Sequence, residues 1–404
     1  MIVPQTRRAA CFAGKFNFAL LFGCFTVLSL SSPLTLAQDA TPQNESLVRR
    51  QFANFVAQGS SALKQGDYQD AEKAFRRALA LDPTSVELLN NLAISVARQG
   101  RDDEAIALYL RALNLRKGDP ITERNLGIAY FRAHRYKEAL PLLESFAARD
   151  PTFQSLDLTG LTLFALDRYT GATEYLERAS QLQPNDLPTL DILGKAYWRA
   201  KSYSGVTQVF NRIMAINADS PEAHYMLGLA YDVEYQEQNA RREFQAALKA
   251  DPTYPGIHSS LGLIDWREHR VSEAKNEFAL ELHQDPRDPV SNYMLGQILW
   301  QQEKPSDAVP YLTAAVTENP SYRDALFELG QCYLSLKEPA KAVKPLKRAT
   351  EVDPDDAQAH FVLSKALSQL GRSVEAAKER EICRRIQASQ HKQPSSAVTR
   401  SSSK

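Results

Sequence analysis

Glycine returns along this chain on a fixed beat, and that beat leaves few folds open. Gly59, Gly127, Gly160, Gly194, Gly228, Gly262, Gly296 and Gly330 stand 34 residues apart or at multiples of 34, with one 33-residue step between Gly127 and Gly160. Ala93 and Ser364 fill the two vacant slots, so small residues hold all ten. A second register runs twelve residues behind the first: Ala71, Ala105, Ala139, Ala172, Ala240, Ala274, Ala308, Ala342 and Ala376, with Val206 as the departure. Proline closes the unit at Pro83, Pro151, Pro184, Pro252, Pro286, Pro320 and Pro354. A period of this length, held over most of a chain, marks a stack of identical supersecondary units, each unable to bury its apolar face alone.

Within one unit, 221–254, Leu227, Gly228 and Tyr231 form one apolar stripe and Ala240, Phe244 and Ala247 a second, both at helical spacing. Each stripe predicts one helix of roughly 13 residues, giving helix, turn, helix, turn. Glycine inside a helix is about 0.5–1 kcal/mol less favourable than alanine, so its recurrence requires a steric cause. The expected cause is close approach of the second helix through its small alanine. Proline ends the second helix because its ring cannot continue the hydrogen-bond ladder.

These registers resemble the tetratricopeptide repeat family. Leu-Gly recurs at Leu227-Gly228, Leu261-Gly262, Leu295-Gly296 and Leu329-Gly330, and the second helix carries Phe75, Tyr109, Phe210, Phe244 and Phe278 at one site. The resemblance implies an all-α, right-handed superhelical solenoid of about ten helix-turn-helix repeats: 52–85, 86–119, 120–152, 153–186, 187–220, 221–254, 255–288, 289–322, 323–356 and 357–390. It also implies a chain that holds a protein or peptide rather than one that catalyses. The repeat from Leu187 departs most, with Val206, Ile213 and Ala218 where Ala, Ala and Pro are usual. The last repeat has Arg380 at an apolar site, as expected of a terminal repeat with no successor to cover it.

The ends differ in composition. Arg7, Arg8 and Lys15 precede an apolar run from Phe16 to Leu30, which Ser31, Ser32 and Pro33 break ahead of Thr35-Leu36-Ala37. That order reads as a signal peptide, 1–37, cleaved near Ala37, and places the protein in an exported compartment, periplasmic or secreted in a bacterium. Retention as a membrane anchor and lipidation at Cys24 are the alternatives, and membrane contact is expected only through them. Residues 38–51 form a polar linker and 391–404 a Ser- and Lys-containing disordered tail. Across the 404 residues Lys plus Arg equals Asp plus Glu at 48 each, without the basic field that nucleic-acid binding requires. Beyond the signal only Cys332 and Cys383 remain, so packing rather than disulfides must hold the core.

The repeat frame assigns structural places to most chemistry-bearing residues. His224, His258 and His360 share the fourth position of their repeats, and neighbouring repeats are about 10 Å apart, too far for joint ligation of one zinc. His134 and His269 fall in the turn between the two helices, where a helix C-terminus favours positive charge. Cys383 takes a slot filled elsewhere by Ala78, Ala112, Ala247 and Ala349, as a small buried thiol would. Gly59-Ser60-Ser61 lacks the preceding strand and partnered His and Asp of a nucleophile elbow. No metal, cofactor or catalytic centre is expected.

At 100° per residue, first-helix positions four, seven, eight and eleven turn toward the core, while two, five, nine, twelve and thirteen face an inner groove. Phe131, Phe164, Trp198, Trp266 and Trp300 fall on position twelve, and Tyr225, Tyr293, Phe327 and Phe361 on position five. These nine aromatic residues form the expected peptide-binding groove, with the partner held between the fifth and tenth repeats. Lateral packing within the stack is the alternative reading of position twelve. Asn90, Asn91, Arg124 and Asn125 match only part of the family's carboxylate clamp, which disfavours capture of a charged C-terminus.

Overall fold

The computed structural model describes residues 42–392, which form twenty α-helices and, among the described residues, no strand. They divide into two compact blocks that meet between Ala218 and Asp219. The N-terminal block pairs α1 (Pro42–Gln65) with α2 (Tyr68–Leu81), α3 (Val86–Ala97) with α4 (Asp102–Leu115), α5 (Pro120–Arg132) with α6 (Tyr136–Arg149), α7 (Phe153–Ala165) with α8 (Tyr169–Leu182), and α9 (Leu187–Arg199) with α10 (Tyr203–Ile216). The C-terminal block pairs α11 (Pro221–Val233) with α12 (Glu237–Ala250), α13 (Ile257–Arg267) with α14 (Val271–Gln284), α15 (Pro289–Gln301) with α16 (Pro305–Glu318), α17 (Arg323–Ser335) with α18 (Pro339–Val352), and α19 (Ala357–Gln369) with α20 (Ser373–Lys392). Each block is thus an all-α solenoid stack of five helical hairpins.

Inside a hairpin the recurring glycine receives a large side chain, not the alanine expected from the sequence. A β-carbon on Gly262 would lie 2.6 Å from the Phe278 ring, and one on Gly228 would lie 2.5 Å from that of Phe244. Gly59 meets Phe75 and Gly194 meets Phe210 in the same way, while Leu176, Leu312 and Leu346 fill the slots of Gly160, Gly296 and Gly330. The second-helix alanines, Ala240 and Ala274 among them, are themselves fully buried. The driving contact, however, comes four residues later, at the ring or leucine that uses the missing β-carbon as its socket.

Each junction is built by local rules. First helices begin with a side-chain cap at the last residue of the preceding repeat: Ser85, Asp119, Thr152, Asp186, Ser220, Asp288 and Asp356 each accept a backbone N–H from the first turn. Second helices end in extended residues such as Asp82, Asp251 and Asp353, the conformation that a following proline enforces. The turn inside every hairpin carries one left-handed residue. Gly66, Gly100 and Gly371 take that place in three repeats, whereas His134, Asp167, Lys201, Tyr235, His269, Glu303 and Lys337 hold it with φ of 57–60°. The shared place of His134 and His269 is therefore a backbone requirement of the turn.

Two edges differ from expectation. Residues 42–51, read as part of a linker, are the first turns of α1, which runs ten residues ahead of the repeat frame. Polar composition hid that helix, but its residues include good helix formers and no proline after Pro42. At the other end α20 continues to Lys392, past the expected limit of the last repeat. The signal segment 1–37 and residues 393–404 of the tail lie outside the described residues.

The glycine socket yields a stability prediction. Gly262→Ala should destabilise the chain by about 1–3 kcal/mol in urea unfolding, because the Phe278 ring must move. The same change in a Phe278→Ala background should be milder, since the space is then open. Equal penalties in both backgrounds would remove the ring as the cause.

Candidate functional site

Consecutive first helices lie side by side, α3 against α5, α5 against α7 and α7 against α9, so that equivalent positions form rows across each block. The face they present is the candidate site. Position five, expected to supply aromatic anchors, is mostly closed. Tyr225 is 3% exposed, Tyr293 5% and Phe327 7%; only Phe361, at 56%, stands in solvent. The reason lies at the repeat junctions. Two repeats end in tyrosine rather than a capping residue, and each of those tyrosines packs on the position-five ring of its own repeat. Tyr254 lies 5.4 Å from Tyr225 and Tyr322 lies 4.7 Å from Tyr293, centroid to centroid. Phe327 is covered by the Arg323 guanidinium, 5.2 Å above its ring.

Losing the cap at Tyr254 is offset from another helix. Glu281 of α14 accepts the backbone N–H groups of Gly256, at 2.9 Å, and Ser259, at 3.2 Å, and so caps α13 across the hairpin. Burial raises the Glu281 carboxyl above its ordinary range, against the pull of those two donors.

Position twelve is half-buried and faces its own hairpin. Phe131 meets Tyr136 edge-on at 5.7 Å, Phe164 meets Tyr169 at 5.6 Å and Trp198 meets Tyr203 at 5.5 Å. Each partner opens the second helix of the same repeat, so this packing is within a hairpin rather than sideways between first helices. Trp266 and Trp300 lie half-buried against the core of the C-terminal block. The nine aromatic residues are thus not one surface: three are interior, five are half-covered and one is exposed.

Position nine supplies what position five does not. Ile94, Ile128 and Leu161 stand half-exposed on α3, α5 and α7, between the position-twelve rings and the N-terminal ends of these helices. Their signal was present in the same angular argument, which placed position nine on the inner face, but attention to aromatic residues passed over them. In the C-terminal block the row changes to Leu229, Leu263, Gln297, Gln331 and Lys365 and becomes polar.

That polar stretch contains a closed network. Gln297 of α15 donates to the Tyr293 hydroxyl at 2.7 Å and to Glu328 of α17 at 3.0 Å. Burial, opposed by the Gln297 and Tyr293 hydrogen bonds and reinforced by Asp324, pushes the Glu328 carboxyl up to about 7. Burial also pushes the neighbouring Cys332 thiol up to about 12. Cys332 and Cys383 are both buried and unbridged. In the other block Asp157 is pushed up to about 6 by burial while accepting the Thr189 hydroxyl at 2.9 Å.

The remaining sequence candidates are occupied by packing. His224, His258 and His360 each bond through Nδ1 to a glutamate of the second helix in their own hairpin: Glu243 at 2.8 Å, Glu277 at 2.7 Å and Glu379 at 2.6 Å. Asn90 donates to Val86 O and to the Thr122 hydroxyl, and Arg124 lies over the Phe146 ring, so the partial clamp set is engaged between helices. Among the described residues no three His, Cys, Asp or Glu side chains gather as a metal site would require, and no helix is long and apolar enough to cross a membrane.

Glu328 gives the site a pH signature. Its raised value means that the folded protein holds this proton more tightly than the unfolded chain does, so its contribution is complete below its ordinary 4.5 and is lost as pH rises through about 7. Glu328→Gln should therefore gain on the wild type by on the order of 1–3 kcal/mol between pH 5 and pH 8 in urea unfolding. A constant difference between the two proteins over that range would assign Glu328 no titration there.

Comparison with known proteins agrees with this architecture. A family model described as tetratricopeptide repeat matches residues 56–120 and 124–186, and a second of the same description matches 299–369. The chain is 32% identical over 87 residues to the photosystem I assembly protein Ycf3 of Synechococcus sp. (strain CC9605), covering 21% of this chain and 50% of that protein. It is 31% identical over 107 residues to the STIP1 homolog of Dictyostelium discoideum, covering 26% of this chain and 18% of that protein. The chain thus spans about half the length of the Ycf3 relatives it matches. Among solved structures, YrrB, described as a TPR protein with an unusual peptide-binding site, is 22% identical with a TM-score of 0.40, covering 45% of this chain and 94% of that one. Yeast Tom70 is 13% identical with a TM-score of 0.44, covering 84% and 89%. Proteins built from these repeats are protein-interaction scaffolds. With the repeat registers, the glycine sockets and the matched segments in agreement, the chain belongs to the tetratricopeptide repeat family.

Proposed function

We propose that this protein is a non-catalytic interaction scaffold of an exported compartment, and that it holds a peptide or protein segment against the first-helix face of its hairpins. The observation that carries the reading is the row of Ile94, Ile128 and Leu161, half-exposed at one position of three consecutive first helices. Scattered apolar residues are normal on a surface, whereas a contiguous row beside aromatic rings is what a bound segment would cover. The closed rings of Tyr225, Tyr293 and Phe327 support the stack from beneath and leave anchoring to positions nine and twelve.

A second reading is a cell-envelope assembly factor or chaperone-like adaptor tethered by its N-terminus. It draws on the Arg7, Arg8 and Lys15 flank ahead of the apolar run from Phe16 to Leu30, and on the likeness to a protein named for photosystem I assembly. Sequencing the N-terminus of the mature protein separates the two. A start near Gln38 in a soluble fraction supports the scaffold, and an intact N-terminus in the membrane fraction supports the tether.

The binding face has its own test. Ile128→Asn with Leu161→Asn should abolish capture of a specific partner in a pull-down from the native compartment while circular dichroism keeps its helical signal. Undiminished capture would move the partner to another surface.

A further inference from the structure

The first-helix face of the N-terminal block is chemically lopsided. Beside the apolar row runs a column at position thirteen, Lys64, Arg98, Arg132 and Arg199, with Ala165 in the one neutral slot. Carboxylates on the same helices are engaged within the protein. Glu87 pairs with Arg116, Glu123 with Arg149 and Asp191 with Lys195, and Asp157 is buried against Thr189. Two of the cations rest on rings instead of carboxylates: Arg124 over Phe146 at 5.7 Å and Arg199 over Tyr169 at 6.0 Å. Arg132 pairs with Asp102 and donates to Ala97 O, which fixes it at the seam between repeats. The corresponding column of the C-terminal block is Val233, Arg267, Gln301, Ser335 and Gln369, so the charge belongs to one block only.

We propose that the N-terminal block binds an extended, acidic segment that lays alternate apolar side chains on Ile94, Ile128 and Leu161 and carboxylates along the column from Lys64 to Arg199. The inference rests on the first-helix face being the binding surface and deepens that reading by fixing the charge and spacing of the occupant. Packed helices repeat at about 10 Å, and an extended chain advances about 3.3 Å per residue, so successive cations match a carboxylate at every third residue. A helical occupant would advance about 1.5 Å per residue and would need carboxylates roughly seven apart. Charge-assisted contacts to arginine favour carboxylate over neutral partners, and the partly covered setting weakens their screening by salt.

The test uses the full chain and three synthetic peptides of twelve or thirteen residues labelled for fluorescence anisotropy. One carries glutamate at every third position with leucine or valine between, the second replaces each glutamate by lysine, and the third keeps the composition of the first with the glutamates seven apart. The glutamate peptide should bind at least tenfold more tightly than the lysine peptide and weaken as salt rises, and the third should bind more weakly than the first. Lys64→Glu with Arg199→Glu, two exposed positions away from the Arg132 seam, should reverse the preference between glutamate and lysine peptides with helical content unchanged. Arg98→Gln provides a milder variant that should lower glutamate-peptide affinity alone. Equal binding of the glutamate and lysine peptides, or a preference untouched by the charge reversal, overturns the acidic occupant while leaving the face as a binding surface. Binding of none of the peptides overturns both.

Discussion

The Phe278 ring occupies the space that a β-carbon of Gly262 would fill, and the same exchange couples Phe75 with Gly59, Phe210 with Gly194 and Phe244 with Gly228. A helix interior normally disfavours glycine by about 0.5–1 kcal/mol, and here that local penalty is offset by burying a whole aromatic or leucine side chain against bare backbone. Seating the ring sets how closely the two helices of a hairpin approach. That separation in turn fixes where the second helix meets the next first helix, so a contact inside each hairpin governs the spacing of the rows on which any partner must rest.

Junctions between hairpins show how one position can serve two physical ends. Most repeats close on a residue that caps the next first helix, satisfying an N–H that would otherwise lack a partner. Where tyrosine stands instead, at Tyr254 and Tyr322, the cap is lost and a stacked ring pair is gained. Glu281 restores the missing acceptor for α13, whereas α17 begins without any side-chain cap. Ring pairing thus hardens the C-terminal block beneath its first-helix face, and the face above it is polar. The N-terminal block keeps its caps and leaves apolar side chains half-covered. The two blocks share a repeat and differ in what they offer a ligand.

Period and helix faces were legible because they depend on spacing alone. A glycine every 34 residues announces a recurrent close contact, and apolar residues at helical intervals announce which face is buried. The identity of the opposing group was not legible: the alanine register was the more regular signal, but the residue entering the socket is four places further along, where Phe and Leu alternate and Arg380 breaks the pattern. The same limit applies to the candidate face. An angle of 100° per residue places position five on the inner side, yet burial there depends on a tyrosine 29 residues later in the chain, at the far end of the repeat. Single-helix geometry contains no information about such a partner. Ile94, Ile128 and Leu161 lacked any later residue to cover them and stayed where the angle put them.

The left-handed residue in every hairpin turn has a consequence of a different kind. Its backbone angle is obligatory, but its side chain is not, since histidine, aspartate, lysine, tyrosine and glutamate all adopt it with φ near 58°. These side chains emerge at the same end of successive hairpins and none is part of the socket or the caps. Each block therefore carries, at about the interval of its helices, a row of positions where chemical identity is decoupled from folding. Selection can rewrite such a row one letter at a time, so that repeats indistinguishable in architecture acquire individual addresses along the rim.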